Sequence, residues 1–189
     1  MAISAMHDPD AGDVALAGQG DRAAAARLIA RHGPRLHALA RRMLGRPAEA
    51  EDVVQEVFLK LWTHAGRWRP GTAKFETWLY RVALNQCYDR LRKRRHEPLE
   101  AAMAVPDGAP PPDAGLQAAH ISAAVARALA DLPERQRAAL LLCHFQGCGN
   151  QQAAEMMGLS VEALESLLAR GRRGLKVRLA HLKESLGEG

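Results

Sequence analysis

The feature that most constrains the fold is a proline-rich segment in the middle of the chain. Residues 97–119 read EPLEAAMAVPDGAPPPDAGLQAA, and they hold five of the ten prolines and no lysine or arginine. Consecutive prolines remove backbone donors and disfavour the helical conformation of the residue before each of them, so no helix can run through this segment. We therefore expect two folded units joined by a stiff, extended linker.

Both flanking parts show the periodicity of amphipathic helices, and neither shows the alternation of a β-strand. The sequence therefore predicts an all-α protein made of two small helical domains. The predicted boundaries are a flexible tail at 1–12, a first domain at 13–96, the linker at 97–119 and a second domain at 120–189.

The charge balance limits the class of partner. Lysine and arginine outnumber aspartate and glutamate by 26 to 21, a formal net charge of +5, which favours an anionic partner such as nucleic acid or a membrane surface. No apolar run approaches the ~20 residues of a membrane span, and the N-terminus lacks the features of a secretory signal. The three cysteines cannot all pair with one another, so we expect a cytoplasmic protein.

The first domain is predicted to hold four helices. Asp21 caps the first helix, Gly33 ends it, and Pro34 begins the second. Pro47 begins the third, PAEAEDVVQEVFLKLW, and the fourth covers about 72–95. The third helix carries an apolar stripe of Val53, Val57, Phe58, Leu61 and Trp62. Its first turns carry the acids Glu49, Glu51, Asp52 and Glu56, where the helix dipole favours them.

The fourth helix has two chemically different faces. The apolar face is Leu79, Val82, Ala83, Cys87 and Leu91, and the other is Trp78, Arg81, Asn85, Tyr88 and Arg92. Aromatic, amide and guanidinium groups stack on bases, bond to base edges and pair with phosphate, so the second face is a candidate nucleic-acid surface. The alternative is a solvated basic face with Trp78 tucked into the core.

The second domain has the pattern of a helix-turn-helix. It begins with helices at 120–131 and at LPERQRAALLLCHF, followed by NQQAAEMMGLSVEALESLLARGRR. There Asn150 caps a short helix, Gly158 makes the turn and Ser160 caps the next helix. Many helical hairpins imitate this pattern. A C-terminal run of cations, Arg170, Arg172, Arg173, Lys176, Arg178 and Lys183, favours contact with DNA.

Taken together, AEDVVQEVFLKLW, FETWLYRVALNQCYDRLRKRR, LPERQRAALLL and the helix-turn-helix resemble bacterial sigma factors of the extracytoplasmic-function (ECF) group of the sigma-70 family. The resemblance covers about 15–95 and 120–180. It implies a region 2 domain that docks on core RNA polymerase and melts the −10 element, and a region 4 domain that reads the −35 element. The implied partners are the β′ and β subunits, promoter DNA and an anti-sigma factor.

The resemblance also implies roles for individual residues of the first domain. Asp52, Gln55 and Glu56 would form the surface that docks on the clamp helices of the β′ subunit. The alternative is that these three residues only form a solvated face of the helix. The loop from Arg67 to Trp78 and the helix after it would hold the −10 strand, with contacts from Trp78, Arg81, Asn85, Tyr88, Asp89 and Arg92. Trp62 and Phe75 are expected in the core rather than on DNA.

In the second domain the implied −35 contacts are Ser160, Glu162, Glu165, Ser166, Arg170, Arg172 and Arg173. Many relatives have Thr-Val-Lys or Thr-Val-Arg where this chain has Ala163, Leu164 and Glu165, and a frequent Arg is replaced by Leu167. Three roles stay open for Glu165: accepting a bond from a cytosine, positioning Arg172 or Arg173, or facing solvent. The linker, with Glu97, Glu100, Asp107 and Asp113, resembles the segment in the RNA exit path, or it is a plain spacer.

Two other classes of function compete with this interpretation. A stand-alone helix-turn-helix regulator would bind duplex DNA through 150–173 without polymerase. A metal or redox protein is suggested by Cys143, His144 and Cys148, but no fourth ligand is near in the sequence. We find no catalytic arrangement and no phosphate-binding glycine loop, so we expect no enzyme activity, no cofactor or metal, and no small-molecule substrate.

Overall fold

The structure is a computed structural model, and it describes residues 8–67, 73–96 and 116–180. Throughout these ranges the regular structure is helical, so the all-α prediction is confirmed. The helices are α1 (Ala11–Gly18), α2 (Arg22–Leu44), α3 (Pro47–His64), α4 (Phe75–His96), α5 (Leu116–Ala130), α6 (Glu134–Leu140), α7 (Asn150–Met157) and α8 (Val161–Arg178). A 3-10 turn at Ala65–Arg67 follows α3, and a π turn at Leu141–Phe145 extends α6. No helix within the described ranges is long and apolar enough to cross a membrane.

The second helix corrects one sequence prediction. Gly33 and Pro34 were expected to separate two helices, but α2 runs through both of them as one helix. A proline inside a helix removes a hydrogen bond and costs about 3 kcal/mol. The buried residues on both sides of Pro34, among them Leu28 and Leu36, face the same core. Burying this continuous face in one helix outweighs the local cost of the proline.

The N-terminal segment is part of the first domain from residue 8 onward. Helix α1 begins at Ala11, inside the segment that the sequence assigned to a flexible tail. Asp10 is buried and its Oδ2 lies 2.8 Å from Nε2 of His32. Asp8 accepts a hydrogen bond from the backbone N–H of Phe75, the first residue of α4. The segment therefore caps and positions the start of α4.

The close approach of α1 to the 3-10 turn gives a stability prediction. A Cβ added at Gly18 would lie 2.8 Å from the backbone nitrogen of Gly66, whereas one added at Gly12 meets nothing within 4 Å. We expect Gly18→Ala to lower the free energy of unfolding by about 1–3 kcal/mol, because backbone must shift to admit the methyl group. Gly12→Ala, in the same helix, should raise it by about 0.5–1 kcal/mol. Urea unfolding of both variants checks this, and equal effects would contradict the close approach.

The second domain packs α6 against α8 and closes the helix-turn-helix with a tight turn. Gly158 has a φ of 64°, which glycine adopts without strain. Helix α5 begins at Leu116, four residues earlier than the predicted domain boundary. The rest of the predicted linker, with its acids Glu97, Glu100, Asp107 and Asp113, lies outside the described residues.

The two domains contact each other around the C-terminal end of α2. Arg137 of α6 is 6% exposed and donates hydrogen bonds to the carbonyls of Met43, Ala130 and Leu132. Arg94 of α4 donates to the next carbonyl of α2, Leu44, at 2.8 Å. Burial lowers the pKa of Arg137. Its guanidinium thus satisfies the unpaired carbonyls at the ends of two helices and joins the domains.

Candidate nucleic-acid interface

The apolar face predicted for α4 is confirmed by burial, whereas the opposite face is only partly exposed, because Trp78 and Tyr88 are half-buried and pack against the core. On the apolar face Leu79, Ala83 and Cys87 are fully buried, while Val82 and Leu91 are half-buried. On the opposite side Arg81, Asn85 and Arg92 are exposed. Burial raises the pKa of the Cys87 thiol to about 12, so this cysteine behaves as a small apolar side chain.

An aromatic pair stands at the start of α4. The rings of Phe75 and Trp78 are stacked, with centroids 5.8 Å apart and an interplanar angle of 26°. Phe75 is 1% exposed, as expected of a core residue, and Trp78 is half-buried. The buried Phe75 ring therefore restricts the position of the Trp78 ring. Most of the loop before it, 68–72, lies outside the described residues.

Trp62 does not occupy the core, contrary to the sequence prediction. It is 45% exposed, and Leu59 on the same helix is 66% exposed. The buried stripe of α3 is formed by Ala50, Val53, Val57 and Leu61. Because successive residues of a helix are rotated by about 100°, the residue after Leu61 is carried away from this stripe.

Two charged residues of the candidate −10 face form a local pair. Arg92 Nη2 lies 2.7 Å from Asp89 Oδ1, and both side chains are more than half exposed, at 69% and 51%. Such a pair contributes little to stability. Asp89, which the sequence assigned to the −10 contacts, therefore has the Arg92 guanidinium as its neighbour on this face.

One residue of this face, Arg81, contacts the second domain, and another, Tyr88, is half-buried. The Arg81 guanidinium donates to the backbone carbonyl of Glu155 in α7, at 2.6 Å. The Tyr88 hydroxyl is buried and has no hydrogen-bond partner among the described residues, and burial raises the pKa of Tyr88 to about 12. Arg135 of α6 lowers that pKa and Glu134 raises it, both by less than burial does.

The acidic start of α3 divides into exposed and paired residues. Asp52 and Gln55 are exposed. Glu56 is bonded to Arg90 of α4 at 2.7 Å. The sequence prediction did not include this pairing, because nothing in the local pattern reports a partner 34 residues away. Glu56 thus helps to hold α3 on α4, and Asp52 and Gln55 form the freer part of the surface.

This division gives a prediction for polymerase docking. Asp52→Ala combined with Gln55→Ala should change the free energy of unfolding by only about ±0.5 kcal/mol per residue, because both side chains are exposed. Affinity for core RNA polymerase should fall several-fold in a competition assay. Glu51→Ala, also exposed on α3, is the matched control. Unchanged affinity of the double variant would exclude this surface from docking.

The second helix of the helix-turn-helix, α8, presents its polar residues to solvent. Ser160 caps it, with its Oγ accepting from the backbone N–H of Ala163 at 3.2 Å. Hydrogen bonds from its own backbone N–H and from Ser160 lower the pKa of Glu162. The buried side of α8 is Leu164, Leu168 and Gly171. The expected −35 contacts that are exposed are Ser160, Glu162, Glu165, Ser166, Arg170, Arg172 and Arg173.

Glu165 has a partner that the sequence did not predict. Its Oε1 accepts a hydrogen bond from Asn150 Nδ2 at 3.3 Å, so its carboxylate is paired with an amide. Asn150 was expected to cap α7, but Gly149 holds the cap position and Asn150 begins the helix. The Asn150 amide is therefore available to join the starts of α7 and α8. The proposed pairing of Glu165 with Arg172 or Arg173 is not the arrangement found.

The cysteines of the second domain are free thiols. Cys143 Sγ lies 3.9 Å from Asn150 Oδ1, and Cys148 is 6% exposed. Within the described residues no three histidine, cysteine or acidic side chains lie together as metal ligands would. The geometry therefore gives no support to a metal site at Cys143, His144 and Cys148.

Comparison with known proteins agrees with this two-domain geometry. Residues 28–97 match the family described as Sigma-70 region 2, and residues 122–175 match Sigma-70, region 4. The ECF sigma factor SigE of Mycolicibacterium smegmatis is 32% identical over 81% of this chain and 60% of its own length, so the chain spans less than two thirds of that relative. SigM of Mycobacterium tuberculosis is 35% identical over 86% of this chain and 81% of its own.

A solved structure extends the likeness to the whole fold. The structure of CnrH in complex with the cytosolic domain of CnrY matches with a TM-score of 0.69 and 28% identity, over 92% of this chain and 99% of CnrH. Both domains are included in that coverage. The chain belongs to the ECF group of the sigma-70 family, the transcription initiation factors that direct RNA polymerase to promoters.

Proposed function

We propose that the exposed face of α4 holds the unwound −10 strand while α8 enters the major groove of the −35 element. The observation that carries this is the order of groups along α4: a supported aromatic ring at Trp78, an exposed amide at Asn85 and an exposed guanidinium at Arg92. Single strands are bound by aromatic platforms within a basic groove, and amides bond to base edges.

The chain also has to dock on core RNA polymerase, which synthesises the RNA. Asp52 and Gln55 contact the β′ subunit, the second domain contacts the β subunit, and the polymerase performs all the chemistry. The chain itself is not an enzyme and works in the cytoplasm. Similar sigma factors have been solved in complex with anti-sigma factors, CnrH with CnrY among them, which supports the control of this chain by an anti-sigma factor.

The pairing of Glu165 refines its role in −35 recognition. Glutamine at this position can still accept the bond from Asn150 through its carbonyl oxygen, so Glu165→Gln keeps that bond, removes the charge and replaces the second acceptor oxygen with an amide donor. We expect tighter binding to non-specific duplex, because one repulsion with phosphate is gone. Discrimination between the −35 element and a single-base variant should fall by roughly 1–3 kcal/mol, the worth of one base contact. Holoenzyme selectivity at fixed salt measures this, and equal shifts for all variants would show that Glu165 reads no base.

Run-off transcription of fragmented genomic DNA tests the proposed function. Core polymerase with the chain should start at a small set of sites that share −10 and −35 sequences, and core alone should not. A stand-alone regulator would instead bind its duplex sites tightly without polymerase. Specific duplex binding by the free chain, with no new start sites in its presence, would refute the proposal.

A further inference from the structure

The carboxylate of Glu165 in α8 has one oxygen bound within the protein and one oxygen left over. Its Oε1 accepts the hydrogen bond from Asn150 Nδ2 at 3.3 Å. Within the described ranges no hydrogen bond or ion pair reaches Oε2. An ionised carboxylate offers acceptors and no donor. The second oxygen can therefore accept from a group outside the protein, and that group must be a donor.

The Asn150 amide is itself oriented by a cysteine. Cys143 Sγ lies 3.9 Å from Asn150 Oδ1, at the distance of a weak thiol hydrogen bond. Burial raises the pKa of the Cys143 thiol, so at neutral pH the sulfur keeps the proton that it donates. Because a carboxylate cannot donate, the amide must turn its NH₂ group toward Glu165 and its oxygen toward Cys143. Both contacts thus favour the same orientation of the amide.

The three side chains come from three elements of the second domain. Cys143 lies in the π turn that extends α6, Asn150 is the first residue of α7, and Glu165 lies on α8. Asn150 and Glu165 are exposed, so the bond between them contributes little to the stability of the fold. Its main consequence is that a long, flexible side chain loses rotamers before DNA binds. The free Oε2 of Glu165 is thereby confined to a narrower region of the α8 surface.

The edges of the bases decide which of them a fixed acceptor can recognise. In the major groove, guanine and thymine present carbonyl acceptors to such a group, which repel a carboxylate. Adenine presents the N6 donor beside the N7 acceptor, so part of the attraction is lost. Cytosine presents the N4 amino group without a neighbouring acceptor on the same base. A carboxylate oxygen held in one place therefore favours cytosine.

We infer that Asn150 is a positioning residue for −35 recognition: it holds Glu165 so that Oε2 accepts from N4 of one cytosine in the −35 element. The inference rests on the proposed function of α8 and deepens it, by naming the base and the residue that fixes the contact. The specificity of α8 then depends on a side chain of the preceding helix, α7.

Transcription from a promoter library by reconstituted holoenzyme tests this inference. A promoter found by the run-off experiment is rebuilt with its −35 element randomised at every position, and transcripts of each sequence are counted at fixed salt. The variants are Asn150→Ala, Glu165→Ala and the two combined. Asn150→Asp is a second probe, because aspartate suits the first turn of a helix yet repels Glu165. Gln151→Ala, exposed at the next position of α7, is the matched control, and urea unfolding checks each fold.

We expect the wild type to prefer cytosine at one position by roughly tenfold, within the range of one base contact. Asn150→Ala should reduce this preference to about threefold or less, a typical coupling between contacting residues. Asn150→Asp and Glu165→Ala should abolish it, and all three should leave the preferences at other positions unchanged. Adding Asn150→Ala to Glu165→Ala should change nothing further, because both residues act through one contact.

The control Gln151→Ala should reproduce the wild-type profile. A wild-type profile from folded Asn150→Ala and Asn150→Asp, or an equal loss at every position, would overturn the role of Asn150. A preference that depends on Glu165 but falls on another base would overturn the assignment of cytosine. Failure of the proposed function would look different: even with the wild-type chain, transcription would not depend on the −35 sequence at any position.

Discussion

Asp10→Ala is expected to lower the free energy of unfolding by about 3 kcal/mol, the largest stability change that we predict. Asp10 is 2% exposed, pairs with the buried His32 at 2.8 Å and also forms an ion pair with Arg31. Removing one partner of a buried polar pair leaves the other without compensation. Arg31 is 46% exposed, so water can solvate its guanidinium once Asp10 is removed. The free-energy cost therefore arises mainly from His32, which stays buried without its partner.

We expect the removal of the Asp10 side chain to disturb the start of α4 as well, through His32. The His32 ring packs edge-on against Phe75, with centroids 5.8 Å apart, and Phe75 supports Trp78. Asp13→Ala is the matched control, because Asp13 lies in the first turn of α1, three residues after Asp10, and pairs only with the exposed arginines Arg27 and Arg31. Denaturant unfolding should show a much smaller change for the control. Similar changes for Asp10→Ala and Asp13→Ala would contradict the buried network.

Asn85→Ala is expected to reduce transcription from a closed promoter by about ten- to a hundredfold, the range that corresponds to one base contact. The side chain is exposed, so the fold should not change. On a template already unpaired at the −10 element the loss should be much smaller, because the strand no longer has to be captured during melting. Abortive-initiation rates on the two templates give the comparison.

Arg92→Ala is the control for a charge contact on the same face. It should weaken all promoters similarly and reduce the salt dependence of binding, as loss of a phosphate contact does. Equal losses for Asn85→Ala on closed and unpaired templates would argue against a role in melting, although the strand contact could remain.

Local signals in the sequence predicted the helices well where the caps and the periodicity agreed. Pro47 begins α3, Ser160 caps α8 and Gly158 makes the turn between α7 and α8, as predicted. The apolar face of α4 also followed from spacing alone. Each of these features depends on residues within a few positions of one another, which is the range over which a sequence pattern carries physical information.

The features that were missed depend on contacts between distant residues. Pro34 lies within α2 because the core on both sides outweighs its local effect, and Asp8 caps a helix that begins 67 residues later. The pairing of Glu165 with Asn150 needed the relative placement of two helices. The bond from Arg81 to the backbone of Glu155 needed the placement of two domains. None of these can be obtained from periodicity or capping.

Permanganate reactivity of thymines in the −10 element tests most directly the claim that this chain gives polymerase the ability to melt a promoter. The account predicts reactive thymines on a linear duplex promoter with core polymerase and the chain together, and none with either component alone. It also predicts that Asn85→Ala suppresses this reactivity while holoenzyme still assembles. Unreactive thymines with the assembled wild-type holoenzyme, or full reactivity with Asn85→Ala, would contradict it.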